Sequence, residues 1–287
     1  MSFKINLSKG FDINLIGEAV KTITTIKPPS SFAIKPTDFI GITRPKLLNN
    51  VGDEVKAGTP ILFDKLSDQI MYCSPVSGEI IEVVRGLKRR IEEIRILPDK
   101  KNVYVKHKKF SSLEVDQLRR EDIIKNLTSS GVWPHIIQRP FGLVADPNSK
   151  PKAIHVSFFD THPLAPSSEI LYKDDLKYIK CGLRILSKLT NGKIHLNHNK
   201  DSIEYFSIDG YENNVFSGPH PSGNVGVQIH HIDAVNKYDV VWSTSPQGLI
   251  EIGKLFLEGI YDASKKICLV GSEVKKTQYY SCISGTS

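Results

Sequence analysis

Along residues 38–109 the apolar positions fall in short runs punctuated by glycine, a pattern of strands joined by tight turns. Within 51–83, Gly52-Asp53 and Gly58 occupy turn positions that favour positive φ, Pro60 stiffens the entry to the next strand, and Val55, Ile61 and Leu62 supply buried aliphatics. Ser74-Pro75-Val76-Ser77-Gly78 repeats the device before a second strand, so two glycine-turned half-motifs face each other across a hairpin. Residues 91–97 add a further strand, and 38–109 is predicted to be an all-β domain. Ahead of it, 3–15 is strand-like up to Gly17, and Lys27-Pro28-Pro29-Ser30-Ser31 forms an extended linker. The period then changes. Ser111-Ser112-Leu113-Glu114 fits a capping box, and Leu118, Ile123, Ile124 and Leu127 recur at helical spacing until Gly131. Residues 153–159, 193–198, 239–243 and 266–270 read as strands. Between them lie a helix over 174–190, with Leu176, Ile179, Leu183, Leu186 and Leu189 on one face, and another from Ser245-Pro246 to Gly259. Strand alternating with helix predicts a parallel sheet whose ligands bind outside the carboxyl ends of its strands.

The paired glycine turns of 51–83 resemble the barrel-sandwich hybrid of lipoyl and biotinyl carrier domains, in which a modified lysine stands on the hairpin between the halves. Here Asp68 falls at the carrier-lysine position, and Lys65 comes several residues early without the neighbours of a modification site. The expectation is a structural docking module, because a fold does not fix a function. A carrier would reveal itself by the added mass of a lipoyl or biotinyl group.

Composition narrows the classes. With 287 residues, 40% hydrophobic and 24% charged, the chain has the make-up of a globular protein of two domains. No stretch reaches the ~18 to 20 apolar residues of a membrane span. Cys73, Cys181, Cys268 and Cys282 are far apart and form no CxxC pair, so no zinc or iron–sulfur site is encoded locally, and reduced thiols are expected. The net charge of +7 traces to residues 85–109, which hold ten Lys/Arg against three Asp/Glu. With the rest balanced and no interleaved aromatics, a nucleic-acid surface is not indicated. A local basic face including Arg85, Lys88, Arg89 and Arg90 is left, suited to anionic head groups or an acidic partner, or simply to solvent.

Two loops at predicted strand ends are candidates for chemistry: 160–166 with His162, and 216–226 with Phe216, Gly218, Pro219, His220, Pro221 and Gly223, followed by His230 and His231. Prolines on both sides of His220 and glycines around it preset the second loop for a ligand or a neighbouring chain, a rigid structural turn being the alternative. His230 and His231 are expected on a strand, pointing to opposite faces, and His195 and His198 likewise, which argues against a shared metal. No Ser/His/Asp elbow, Walker loop, paired carboxylates or GxGxxG after a strand is present.

Taken together, the Lys9-Gly10-Phe11-Asp12-Ile13 run, the 51–78 region, Arg85-Gly86-Leu87-Lys88-Arg89, Asp160-Thr161-His162-Pro163-Leu164-Ala165, and the GPHPSG run within 216–230 resemble the A subunits of the sodium-translocating NADH:quinone reductase over essentially the whole chain. The resemblance implies the N-terminal portion of such a protein. Its fold class is α/β plus β: an N-terminal strand and linker (1–37), the barrel-sandwich hybrid (38–109), a Rossmann-like α/β domain (110–271) related to the flavin subunit of complex I, and the start of a truncated C-terminal module (272–287). Where flavin-bearing relatives have several glycines, Ser130-Gly131-Val132-Trp133-Pro134-His135 has one, so neither FMN nor NADH binding is expected and no iron–sulfur cluster. What remains implied is a peripheral subunit on the cytoplasmic face of the bacterial inner membrane, without a redox cofactor of its own, bound to membrane-embedded partner subunits. It would contribute to reduction of ubiquinone as substrate and to assembly, or serve as a docking subunit at an anionic membrane surface. A quinone site needs an apolar slot with hydrogen-bond donors; Phe159, Phe216 and Trp242, with Phe158, are the candidate walls, and His162, His220 and His230 the donors. The basic residues and Gly218, Pro219, Pro221 and Gly223 are candidate partner or membrane contacts.

Overall fold

The computed structural model describes residues 3–286. In chain order the first half contains β1 (Lys4–Asn6), β2 (Val20–Thr25), β3 (Phe32–Ile34), β4 (Pro45–Leu47), β5 (Glu54–Val55), β6 (Pro60–Asp64), β7 (Ser67–Cys73), β8 (Gly78–Arg85) and β9 (Ile91–Pro98). Then come α1 (Ser112–Gln117), α2 (Arg120–Ser129), β10 (Ile137–Arg139), β11 (Leu143–Val144), β12 (Ala153–Ser157), α3 (Ser168–Tyr172) and α4 (Leu176–Ser187). The remainder is β13 (Lys193–His198), α5 (Ser202–Phe206), β14 (Glu212–Ser217), α6 (Val225–Asp233), β15 (Val241–Thr244), α7 (Pro246–Glu258), β16 (Ser264–Leu269) and β17 (Gln278–Ile283).

The β-domain is two sheets, β3-β9-β8-β5 and β4-β6-β7, closed over Val55, Ile61, Leu62, Ile80, Ile94 and Ile96. Ile94 and Ile96, two residues apart on β9, share one inner face, and the irregular register between Pro60 and Leu62 on β6 accompanies the burial of the adjacent Ile61 and Leu62. The β6–β7 hairpin turns at Lys65-Leu66, so Asp68 lies on a strand and not at the tip. Asp64 fixes the turn, accepting bonds from the amides of Arg44 at 2.9 Å and Leu66 at 2.8 Å.

The α/β half is a seven-stranded sheet ordered β1-β14-β13-β12-β15-β10-β11. Strands β1, β14, β13, β12 and β15 run parallel, and β10 and β11 add an antiparallel edge. Helix α4 packs on α7, and α6 packs on β12. Ser245 accepts the Gly248 amide at 3.1 Å with Pro246 in the first turn, as the sequence indicated for α7.

Several expectations are corrected. The strand-like stretch 3–15 yields only β1, which completes the large sheet beside β14, while β2 joins β17 and β3 enters the β-domain. The first 37 residues are thus shared among three sheets. The predicted helix after Ser111 breaks at Leu118, whose extended backbone separates α1 from α2, where the Arg119 guanidinium turns to Asp122 at 2.9 Å. Strand β16 does not complete the parallel sheet: it pairs antiparallel with β17 in a separate sheet of β16, β17 and β2. Finally, α2 packs on β7, so one continuous hydrophobic core runs through both halves.

Candidate functional site

The carboxyl ends of β12 and β15 lie side by side, and the chain leaves β12 toward β13 while β15 sits on its other flank. Crevices at such a reversal of strand order are where open α/β sheets bind ligands. Here the crevice is a cleft of about 710 Å³. Ser157, Ser243 and Thr244 from the strand ends line it, with Phe159, Leu171 and Tyr172 forming an apolar side and Arg139 a cationic one.

The 160–166 loop borders this cleft and is clamped to the 216–226 loop. Thr161 Oγ1 is 2.9 Å from His220 Nδ1 and accepts the Gly223 amide at 3.1 Å. The His162 and His220 rings lie 5.1 Å apart, and His162 Nδ1 is 2.5 Å from the Asp160 carboxylate. From the other side the N-terminal segment holds the loop: Asp12 accepts the His220 amide at 2.8 Å, and the Phe11 amide donates to the His220 carbonyl at 2.9 Å. Glycine is required at two points. Gly218 has φ of +106° and its missing Cβ would stand 2.1 Å from the Leu7 carbonyl oxygen, while one on Gly223 would stand 2.5 Å from the Thr161 nitrogen.

The predicted site residues do not all gather at the cleft. Phe159, His162 and Gly223 line the cleft, and His220 with Gly218, Pro219 and Pro221 builds the clamped loop beside it. Phe216 and Trp242 are fully buried, the latter edge-to-face on Trp133 at 5.5 Å, so neither offers a wall to a ligand. Phe158 also lines the cleft, though it is only 2% exposed and stacks between His198 and Phe206. His230 and His231 sit on α6, not on a strand, with both side chains exposed away from the cleft; the Val225, Val227, Ile229 alternation imitates a strand, whereas the buried Gln228 and Ile229 set the helical face. Arg85, Lys88, Arg89 and Arg90 are at the β8–β9 hairpin, far in sequence from these loops and contributing nothing to the cleft lining.

Two features escaped sequence reading. The first is Arg139, brought to the cleft by antiparallel pairing of β10 with β15, to which no local motif points. The second is a buried polar layer beneath α6. Asn197 donates to Gln228 Oε1 at 3.0 Å, Asn214 donates to Asn197 Oδ1 at 3.0 Å, and His155 and His195 stack on their flank. Burial pulls His155 down to about 3 and His195 and His198 to about 4, so these rings are neutral at physiological pH. Among the described residues no group of three His, Cys, Asp or Glu side chains is placed to hold a metal, and the four cysteines are unpaired.

Residues 5–99 match the family of the NqrA N-terminal barrel-sandwich hybrid domain, and residues 118–261 that of the NqrA second alpha/beta domain. Similar curated proteins include the A subunit of the Na(+)-translocating NADH-quinone reductase of Photorhabdus laumondii, 33% identical over 95% of this chain and 61% of that protein. The same-named proteins of Vibrio atlanticus (33%) and Alcanivorax borkumensis (34%) are each matched over 94% of this chain and 60% of their own length. The chain therefore spans about three fifths of the length of these relatives. With both domain types matched in the order the structure displays them, the chain belongs to the NqrA family.

Proposed function

We propose that this chain acts as the A subunit of a Na+-translocating NADH-quinone reductase, a multi-subunit oxidoreductase, and contributes to binding and reducing ubiquinone without a redox cofactor of its own. The observation that carries the quinone part is the cleft at the strand ends: Phe159, Leu171 and Tyr172 provide an apolar side, and His162 stands at its border with His220 behind it. A quinone head group requires an apolar side with hydrogen-bond donors at its edge, which is what these residues offer. The α/β half is proposed to be Rossmann-like and related to the flavin subunit of complex I, with its flavin cradle lost. In support, the stretch that would cradle the phosphate is packed: Trp133 is fully buried with its indole N–H donating to the Ala145 carbonyl at 2.7 Å, and a Cβ on Gly131 would meet Cys73. The protein is proposed to sit at the cytoplasmic face of the inner membrane against membrane-embedded partners; no helix among the described residues is long and apolar enough to cross a membrane.

The test is titration of the chain with a short-chain ubiquinone, FMN and NADH serving as controls. Saturable quinone binding lost in Phe159→Ala and His162→Ala is the expected result. Binding untouched by both changes would remove the site, and FMN retained by the chain through purification would overturn the cofactor-free reading.

A second reading, a docking subunit bracing the complex at an anionic membrane surface, is favoured by the β8–β9 hairpin. Leu87 is 91% exposed at its tip, and Arg85, Lys88, Arg89 and Arg90 make no ion pair to the described residues.

A further inference from the structure

Arg139 is an unusual residue to find half-buried without a carboxylate. Its guanidinium makes one hydrogen bond to the described residues, Nε donating to Ser243 Oγ at 3.4 Å, and has no ion-pair partner among them. Burial lowers its pKa from the ordinary arginine value, the sign of a charge held partly out of water without compensation. Of the other titratable side chains lining the cleft, Asp160 places its carboxylate 2.5 Å from His162 Nδ1. The cleft thus carries a guanidinium without a carboxylate partner on one side and an apolar surface on the other, with the Asp160 carboxylate turned to His162 at its border.

The backbone reinforces that charge. Val225 and Gly226 line the same cleft in the first turn of α6, where amides have no intrahelical acceptor, and the Asn224 side chain does not cap them. Space over Gly226 is open: a Cβ there would have no heavy atom within 4 Å. A tetrahedral oxyanion can accept from a guanidinium fork and from helix amides together, because it presents three oxygens in different directions.

We propose that this cleft binds a phosphate ester with an apolar or aromatic body, the phosphate lying between Arg139 and the first turn of α6 and the body against Phe159 and Leu171. The volume of about 710 Å³ suits a ligand of nucleotide size. This inference goes beyond the quinone reading and does not need it.

The experiment is calorimetric titration of the whole chain at constant ionic strength with AMP as probe and inorganic phosphate as competitor, repeated on Arg139→Gln and Gly226→Val. Saturable AMP binding that phosphate displaces is expected, weakened at least about tenfold by loss of the guanidinium. Gly226→Val places its side chain in open space and is expected to block binding while leaving the melting temperature near that of the parent, so it stands even if Arg139→Gln folds poorly. Absence of saturable AMP and phosphate binding, or binding unchanged in both variants, overturns the proposal. Short-chain ubiquinone titrated separately keeps the two readings apart, since quinone binding without phosphate binding defeats this inference alone, and the reverse defeats the quinone site alone.

Discussion

The rings of His155 and His195 stack 4.6 Å apart at 16° on the paired strands β12 and β13, inside the polar layer that α6 covers. His155 Nε2 and His198 Nδ1 are buried without a hydrogen-bond partner, so protonation there would create charge with nothing to receive it. Desolvation holds His155 at about 3 and His195 and His198 at about 4, below the ordinary value of 6.5. The unfolded chain therefore binds protons that the folded chain refuses, and stability is full above pH 6.5 and declines as pH falls toward 4. Each histidine contributes a slope of about 1.4 kcal/mol per pH unit in that window, and all three together approach about 4. Urea midpoints at pH 8, 6 and 5 check this: a steep fall below pH 6.5, shallower in His155→Gln, is expected, and equal midpoints at pH 8 and pH 5 would contradict it.

The parts of this architecture readable in the sequence are those encoded over a few neighbouring residues. Ser245-Pro246 announced α7 because an N-cap and an N1 proline act within one turn, and the glycine turns of the β-domain carry their own dihedral demand. Arg139 was invisible because β10 reaches the cleft only by pairing Arg139 with Val241, across more than a hundred residues of chain. Phe216 and Trp242 looked like cleft walls because they lie near the candidate loops, but Phe216 alternates into the core on β14 and Trp242 lies on β15, which is buried along its whole length. The binary pattern of β16 is equally compatible with a place in the large sheet; its partner β17 lies beyond it in the chain, and only that pairing removes it.

His135 and Glu251 form a pair, Nε2 to Oε2 at 2.7 Å, with the Glu251 side chain 1% and the His135 side chain 24% exposed, the other Glu251 oxygen accepting from Gln247 at 3.1 Å. Removing Glu251 leaves His135 and Gln247 without their acceptor beside a buried position, at a cost of about 1 to 3 kcal/mol. Glu251→Ala is expected to lower the urea midpoint strongly. Glu251→Gln retains the volume and one acceptor and should lose clearly less. Equal losses would mean that packing, not the polar pair, governs the site.

Gly218 and Gly226 make opposite demands although they share one loop region. Alanine at 218 must adopt φ near +106° and displace the Leu7 carbonyl, so the Gly218→Ala chain should lose about 1 to 3 kcal/mol and release β1 from β14. Limited proteolysis within 7–19, where Phe11, Ile13 and Ile16 are exposed, would report that release. Alanine at 226 enters the first turn of α6 with no atom within 4 Å and should be neutral or stabilising. A Gly218→Ala chain as protease-resistant as the parent would show that the clamp does not hold the amino-terminal strand.

The β8–β9 hairpin offers the sharpest test of the membrane-surface reading. Lys88 and Arg89 adopt φ of 55° and 60° in the tight tip beside Leu87, and the Arg85 guanidinium bonds back to the Arg89 carbonyl at 3.2 Å. Elsewhere on the same sheet Arg95 is neutralised by Glu93 and Glu82, so the unbalanced charge gathers at the tip. Near an anionic leaflet each such cation contributes about 1 kcal/mol, and the attraction fades within about one Debye length as salt rises. Sedimentation with phosphatidylserine vesicles should therefore capture the chain at low salt and release it at high salt, with neutral vesicles failing at both. Charge reversal at Lys88, Arg89 and Arg90 should abolish capture, and Leu87→Ser should weaken it by removing the apolar contact while leaving the salt dependence. Capture that ignored both salt and lipid charge would assign the tip to solvent or to a protein partner.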